Sequence, residues 1–217
     1  MTMRRFQKTI ANILVEISAV NFAPDSPRTF KSGLISPVYV DNRTIPYYPE
    51  KWRTVIDGFC DTIVQNEISF DVVAGIAAGG IPHSAAMGYR LLKPSVFVRK
   101  QPKEHGMKNR VEGGIVAGKR VLLVEDLITT GGSSLSGIQA LCDSGGIVEH
   151  CIAIVRYDFA EAARNFADAN VVLHTLTTFP IIVTQAAEKG RFARHELEAI
   201  NDWLEEPHGW AKRHGYA

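Results

Sequence analysis

Five short apolar runs, separated by segments that mostly read as helices, constrain this chain more than any other feature. They are Val72–Ala74, Ser95–Val98, the run 120–125, Ile147–Val155 and Val171–Leu176. Between most of them the apolar spacing changes to that of a helix, over 81–92, Gly132–Asp143 and Ala160–Ala167. Strand–helix–strand units joined by short connections predict an α/β fold, a parallel sheet with helices on both faces. In such sheets ligands sit beyond the carboxyl ends of the strands, so those ends are where chemistry is sought.

The flanks are different. Residues 3–20 carry Phe6, Ile10, Ile13, Leu14 and Ile17 on one helical face, and 50–66 repeats the pattern with Trp52, Val55, Ile56, Phe59 and Ile63. Between them, Pro24, Pro27, Gly33, Pro37, Pro46 and Pro49 break 21–49 into an irregular flap or short antiparallel ribbon. At the other end a helix is expected over His195–Leu204, followed by a polar tail. The whole is read as one domain over 1–217: an N-terminal helix and flap to 49, a core over 50–180, and a C-terminal helical extension over 181–217.

With 46% hydrophobic residues in 217, one well-buried core is expected. Lys+Arg 24 against Asp+Glu 23 leaves a formal charge of +1, which argues against a general nucleic-acid or anionic-membrane binder. No apolar run approaches the roughly 18 residues of a membrane span. Cys60, Cys142 and Cys151 lack metal-ligand spacing and read as buried thiols of a soluble, cytoplasmic protein. The histidines likewise show no ligand spacing, and Trp52, Trp203 and Trp210 fit helix packing.

The strand Val121–Val124 ends in Glu125 and Asp126, then runs through Leu127, Ile128, Thr129, Thr130, Gly131, Gly132, Ser133 and Ser134 into a helix. Acids near a helix start are commonplace caps. Four hydroxyls and two glycines exceed what one cap requires, and the backbone N–H groups of such a turn form an anion nest. Carboxylates beside a phosphate would repel it unless they hold sugar hydroxyls or a divalent cation. A ribose diol, a 5′-phosphate and Mg²⁺ satisfy both halves of the motif. Neither GxxxxGK[ST] nor GxGxxG is present, so a Walker-type nucleotidase and a dinucleotide enzyme are not indicated.

A second segment, Arg99 to Arg110, holds five Lys/Arg and His105 against a single Glu. Pro102, Gly106, Gly113 and Gly114 suit a lid with hinges, and its cations suit a departing pyrophosphate. A third, Phe30 to Arg43, reads alone as a turn-rich connection.

The Val121–Ser134 stretch resembles the phosphoribosyl-diphosphate (PRPP) signature of type I phosphoribosyltransferases. Arg99-Lys100-x-x-Lys103-x-His105-Gly106 and the string K-S-G-x-x-S-P-x-Y-x-D-x-R over 31–43 resemble the lid and flap of the orotate phosphoribosyltransferase family. That resemblance, over roughly 25–180, implies a mostly parallel sheet of five strands and transfer of phosphoribose from PRPP to orotate with Mg²⁺. It implies that Glu125 and Asp126 hold the ribose hydroxyls, while Thr129, Thr130, Gly131, Gly132 and Ser133 wrap the 5-phosphate, with Leu127 and Ile128 between. It places Lys31, Arg99, Lys100, Lys103 and His105 on the pyrophosphate side, with Lys31, Lys103 and Asp126 as the catalytic set. It puts Tyr39, Thr129 and Arg156 near orotate, and Mg²⁺ mainly on the substrate, with Glu125 and Asp126 as its protein ligands. It also implies a homodimer in which the 99–110 lid completes the neighbouring site.

Several alternatives stand beside it. Asp41 and Arg43 read equally as a structural ion pair. Arg156 faces orotate or sits one position off, on the wrong side of its strand. The first pyrophosphate loop is Gly75–Gly80 rather than a Tyr-Lys pair. Rival readings are a type I enzyme for another base, and a PRPP-binding regulator without turnover.

Overall fold

The computed structural model describes residues 3–30, 33–101 and 109–216. Helix α1 (Met3–Glu16) buries Ile10, Leu14 and their neighbours at the spacing expected. The flap forms two small antiparallel pieces: β1 (Val20–Phe22) pairs with β4 (Val38–Val40), and β2 (Arg28–Thr29) with β3 (Ile35–Ser36). A 3-10 turn (Asn42–Tyr47) then leads into α2 (Pro49–Gln65), where Pro49 takes the first helical position, whose N–H has no partner in any helix.

The core follows as β5 (Val72–Ile76), α3 (Gly80–Leu91), β6 (Ser95–Val98), β7 (Val111–Glu112), β8 (Arg120–Ile128), α4 (Gly132–Asp143), β9 (Ile147–Arg156), α5 (Ala160–Asp168) and β10 (Val172–Thr178). The sheet order is β10–β9–β8–β5–β6–β7, parallel throughout except for β6 with β7. The sheet therefore has six strands, one more than expected. The addition is the two-residue β7, which lies just after the Arg99–Arg110 segment and is too short to carry a periodicity.

Both sheet faces are covered, which explains why the strands are apolar without alternation. Val73, Leu122, Val124, Ile152 and Ile154 join the residues of α1 and α2 in one cluster. Val72, Ala74, Leu123, Cys151 and Ala153 join Ile138 and Leu141 of α4 and Phe166 of α5 in the other. Each large aliphatic or aromatic side chain so buried contributes about 1.5–3 kcal/mol.

The C-terminal region is more ordered than its polarity suggests. Helices α6 (Phe179–Glu188), α7 (Arg194–Glu205) and α8 (Pro207–Arg213) succeed one another, and α8 occupies the expected tail. Trp203 and Trp210 are fully buried, and their indole N–H groups donate to Ile35 O at 3.0 Å and Ala199 O at 2.9 Å. Of the thiols only Cys151 is buried; Cys60 is half-buried and Cys142 exposed. Among the described residues no helix is long and apolar enough to cross a membrane.

Candidate active site

Three adjacent strands, β6, β5 and β8, end side by side, and their ends converge at one edge. β8 runs to Ile128, past the acids, because β9 keeps pairing with it: Leu127 lies opposite Val155 and Ile128 opposite Arg156. Glu125 and Asp126 are thus part of the strand and not of the loop after it. Neighbouring residues of a strand point to opposite sides, and the two carboxyls have different surroundings.

Glu125 is buried and accepts from the Ser134 hydroxyl at 3.2 Å. Burial first, and the Asp126 charge second, push its carboxyl up to about 8. Asp126 is half-buried and its carboxyl is also raised, chiefly by desolvation. A Cβ on Gly79 would lie 2.3 Å from the Asp126 carboxyl, so this acid rests directly on the glycine turn after β5. The same turn is tight elsewhere: a Cβ on Gly80 would meet the Val124 carbonyl at 2.3 Å. Gly79 and Gly80 therefore bring bare backbone against the acid strand, where a side chain would have no room.

Beyond Ile128, Thr129 and Thr130 lead to Gly131, whose φ of +88° lets the chain turn into α4. The Thr130 carbonyl is held by Asn165 Nδ2 at 2.8 Å. A Cβ on Gly137 would come 2.1 Å from Ile76 Cδ1, so glycine there allows α4 to dock close to β5. The N-terminus of α4, with Gly132 and Ser133 exposed, presents free N–H groups beside the acids. Ser134 is committed to Glu125.

A cleft of about 490 Å³ lies over this edge. Its floor is Ile76–Gly79, Glu125, Asp126, Leu127, Thr129 and Ser133; its wall is Arg28, Thr29, Phe30, Tyr39–Asp41, Arg43 and Tyr157; Lys100 closes one side. Asp41 and Arg43 form a bidentate pair, Nε to Oδ1 at 2.6 Å and Nη2 to Oδ2 at 2.8 Å, and Arg43 also donates to the Tyr39 hydroxyl at 2.9 Å. This pairing holds the Asp41 carboxyl below its usual range. The two alternatives for this pair merge: it is structural, and it lines the site.

The lid is closed at its base by β6 and β7. Arg99 N donates to Arg110 O at 2.9 Å, Arg110 Nε returns to Arg99 O at 2.8 Å, and Arg99 lies 3.5 Å from Glu112. Arg110 Nη1 also reaches the Ser136 carbonyl and hydroxyl, both at 2.9 Å, which ties the lid to α4. Lys100 borders the cleft, and its charge acts on Glu125.

Among the described residues no group of three or more His, Cys, Asp or Glu could hold a metal ion alone. Glu125 and Asp126 offer hard oxygen donors at a place where a buried and a half-buried acid repel. A divalent cation that takes its remaining oxygens from a phosphorylated substrate fits this donor set.

The chain matches the phosphoribosyl transferase domain model over residues 51–173. It is 42% identical to an orotate phosphoribosyltransferase of Coxiella burnetii, over 93% of this chain and 96% of that protein. The chain belongs to the orotate phosphoribosyltransferases. A relative of that name from Cutibacterium acnes is 38% identical over 98% of this chain and 99% of its own. The crystal structure of orotate phosphoribosyltransferase from Aeropyrum pernix superposes with a TM-score of 0.72 at 28% identity, covering 85% of this chain and 99% of that one.

In this chain Glu125, Asp126, Leu127, Thr129, Ser133, Tyr39 and Lys100 border one cleft. Arg99, Thr130, Gly131 and Gly132 support it from the lid base and the loop, and Ile128 is buried in the core. Lys31, Lys103 and His105 lie outside the described residues. Arg156 is not brought to the cleft. It pairs with Asp158 at 2.8 Å and lines a separate cleft with Gly58, Thr62 and His174, on the side of α1 and α2. The orientation one position off is the one found, and Tyr157 takes the place at the cleft. Tyr157, Arg28, Asn42 and Gly79 were not singled out by sequence. β9 is buried on both faces and gives no polar–apolar alternation from which to read which residue faces the site.

Proposed function

We propose that this chain transfers the 5-phosphoribosyl group of PRPP to orotate, forming orotidine 5′-monophosphate and pyrophosphate in pyrimidine biosynthesis. The observation that carries the reading is the common cleft shared by the acids of β8, the nest at α4 and the flap, in a chain whose relatives bear that name.

Departure of pyrophosphate leaves positive charge on the anomeric carbon and ring oxygen, so no strong nucleophile is required. The protein must orient the base nitrogen against that carbon, stabilise charge on the leaving group and keep water out. The α4 nest holds the 5-phosphate, and Asp126 and Glu125 engage the ribose diol. The bare backbone of Gly75–Gly80 offers N–H groups to the pyrophosphate. Arg99 and Lys100 supply cations beside it, and Lys31, Lys103 and His105, which lie outside the described residues, are assigned to the same leaving group, with Lys31 and Lys103 in the catalytic set. Tyr39 and Thr129 border the base. Glu125 and Asp126 would join the substrate's oxygens in holding Mg²⁺, which would supply charge neutralisation. The working unit is a homodimer in the cytoplasm, each lid completing the neighbouring site.

Purified protein mixed with PRPP, Mg²⁺ and orotate should deplete the orotate absorbance. PRPP binding without turnover would favour a regulator instead, and turnover with adenine or uracil alone would reject the base assignment.

A further inference from the structure

The cleft lacks the arginine expected to meet an acidic base, because Arg156 faces the other side of the sheet and is paired with Asp158. Two other arginines border the cleft. Arg43 is committed to Asp41 through both carboxylate oxygens and to the Tyr39 hydroxyl. Arg28 is exposed, and among the described residues it has neither a carboxylate partner nor a hydrogen bond; its guanidinium is held 4.9 Å from the centre of the Tyr39 ring. A cation held by a ring keeps its N–H fork for a planar anion.

Tyr157 adds an independent observation on the same wall. Its side chain is 1% exposed, with Phe30 at 5.7 Å and Trp203 at 5.4 Å between ring centres. Its hydroxyl has no hydrogen-bond partner among the described residues. Its backbone N–H donates to Ile128 O at 3.0 Å, which fixes it at the end of the acid strand. A buried hydroxyl left without a partner is uncommon, and one bordering a cleft is satisfied by what the cleft takes in.

We propose that Arg28 is the residue by which this chain selects a carboxylated pyrimidine, and that the Tyr157 hydroxyl makes a second contact to the same base. Arg28 pairs with the carboxylate of the base through its N–H fork, beside Tyr39. Tyr157 reaches a polar atom of the ring from the buried side. The inference rests on the orotate reading and assigns its specificity to particular side chains.

The test is steady-state kinetics on wild type, Arg28→Gln, Arg28→Lys, Tyr157→Phe and Arg156→Gln, varying orotate at saturating PRPP and the reverse. Arg28→Gln should raise KM for orotate about tenfold to a hundredfold, the loss of one charge-assisted contact, with KM for PRPP within about twofold. Arg28→Lys should recover part of the loss, and Tyr157→Phe should raise KM for orotate with its fold intact by circular dichroism. The assignment is overturned if Arg28→Gln leaves KM for orotate unchanged, or raises both constants equally. It passes to Arg156 if Arg156→Gln alone weakens orotate. Wild type that consumes PRPP with another base but not with orotate would overturn the substrate reading itself, a result separate from any behaviour of the variants.

Discussion

Asn42 reaches from the flap to the acid strand, its Nδ2 donating to the backbone carbonyl of Asp126 at 2.6 Å. Asn42 is fully buried, and its neighbours Asp41 and Arg43 form the ion pair that lines the cleft. The flap is therefore fastened to the peptide that carries Asp126. Asn42→Ala removes that fastening and strands the carbonyl. Unfolding in urea should show a loss of about 1–3 kcal/mol, together with a raised KM for PRPP. Unchanged values of both would mean the contact is incidental.

Gly79→Ala asks whether Asp126 depends on bare backbone beneath it. The added methyl would meet the carboxyl at 2.3 Å, so the acid must swing away. The position has an ordinary helical backbone angle, and the substitution introduces no left-handed strain. Weakened PRPP binding with a nearly unchanged melting temperature is expected; titration with PRPP followed by calorimetry measures it.

The raised carboxyl of Glu125 predicts how stability follows pH. Its folded-state value lies near 8, above the ordinary 4.5, through burial and the Asp126 charge. Between those values the unfolded chain releases a proton that the folded chain keeps, so this group's contribution is complete below about 4.5 and declines as pH rises towards 8. Glu125→Gln should flatten that decline in melting temperature, measured without substrate or divalent cation. A steeper decline in the variant would reverse the assignment.

The proposed sharing of sites between subunits predicts complementation. Lys103→Ala and Asp126→Asn should each be nearly inactive. Mixed under subunit exchange, they should regain part of the wild-type rate, because some lids then meet an intact acid strand. Absence of recovery, with exchange verified by differently tagged subunits, would confine each lid to its own chain.

The parts legible in the sequence are those whose signal is local. The strand boundaries of Ser95–Val98 and the helix Gly132–Asp143 follow from runs and caps, and the acid–hydroxyl loop follows from residue types in order. What was not legible depends on partners distant in the chain. α6 is apolar over much of its length and lacks a polar stripe to announce it, and α8 is a polar segment made helical by a buried tryptophan. The choice between Arg156 and Tyr157 is a matter of register, set where β9 and β8 pair. Arg28 stands in a two-residue strand, and its nearness to Tyr39 arises from the folding of the flap.

Trp203 packs against Tyr157 and donates to the Ile35 carbonyl, so α7 braces both the flap and the wall of the cleft. During synthesis β8 and the loop 129–133 leave the ribosome some seventy residues before this brace. A nascent chain can thus assemble the floor of its cleft while the flap and the wall still lack their support. The wall gains that support only when α7 docks.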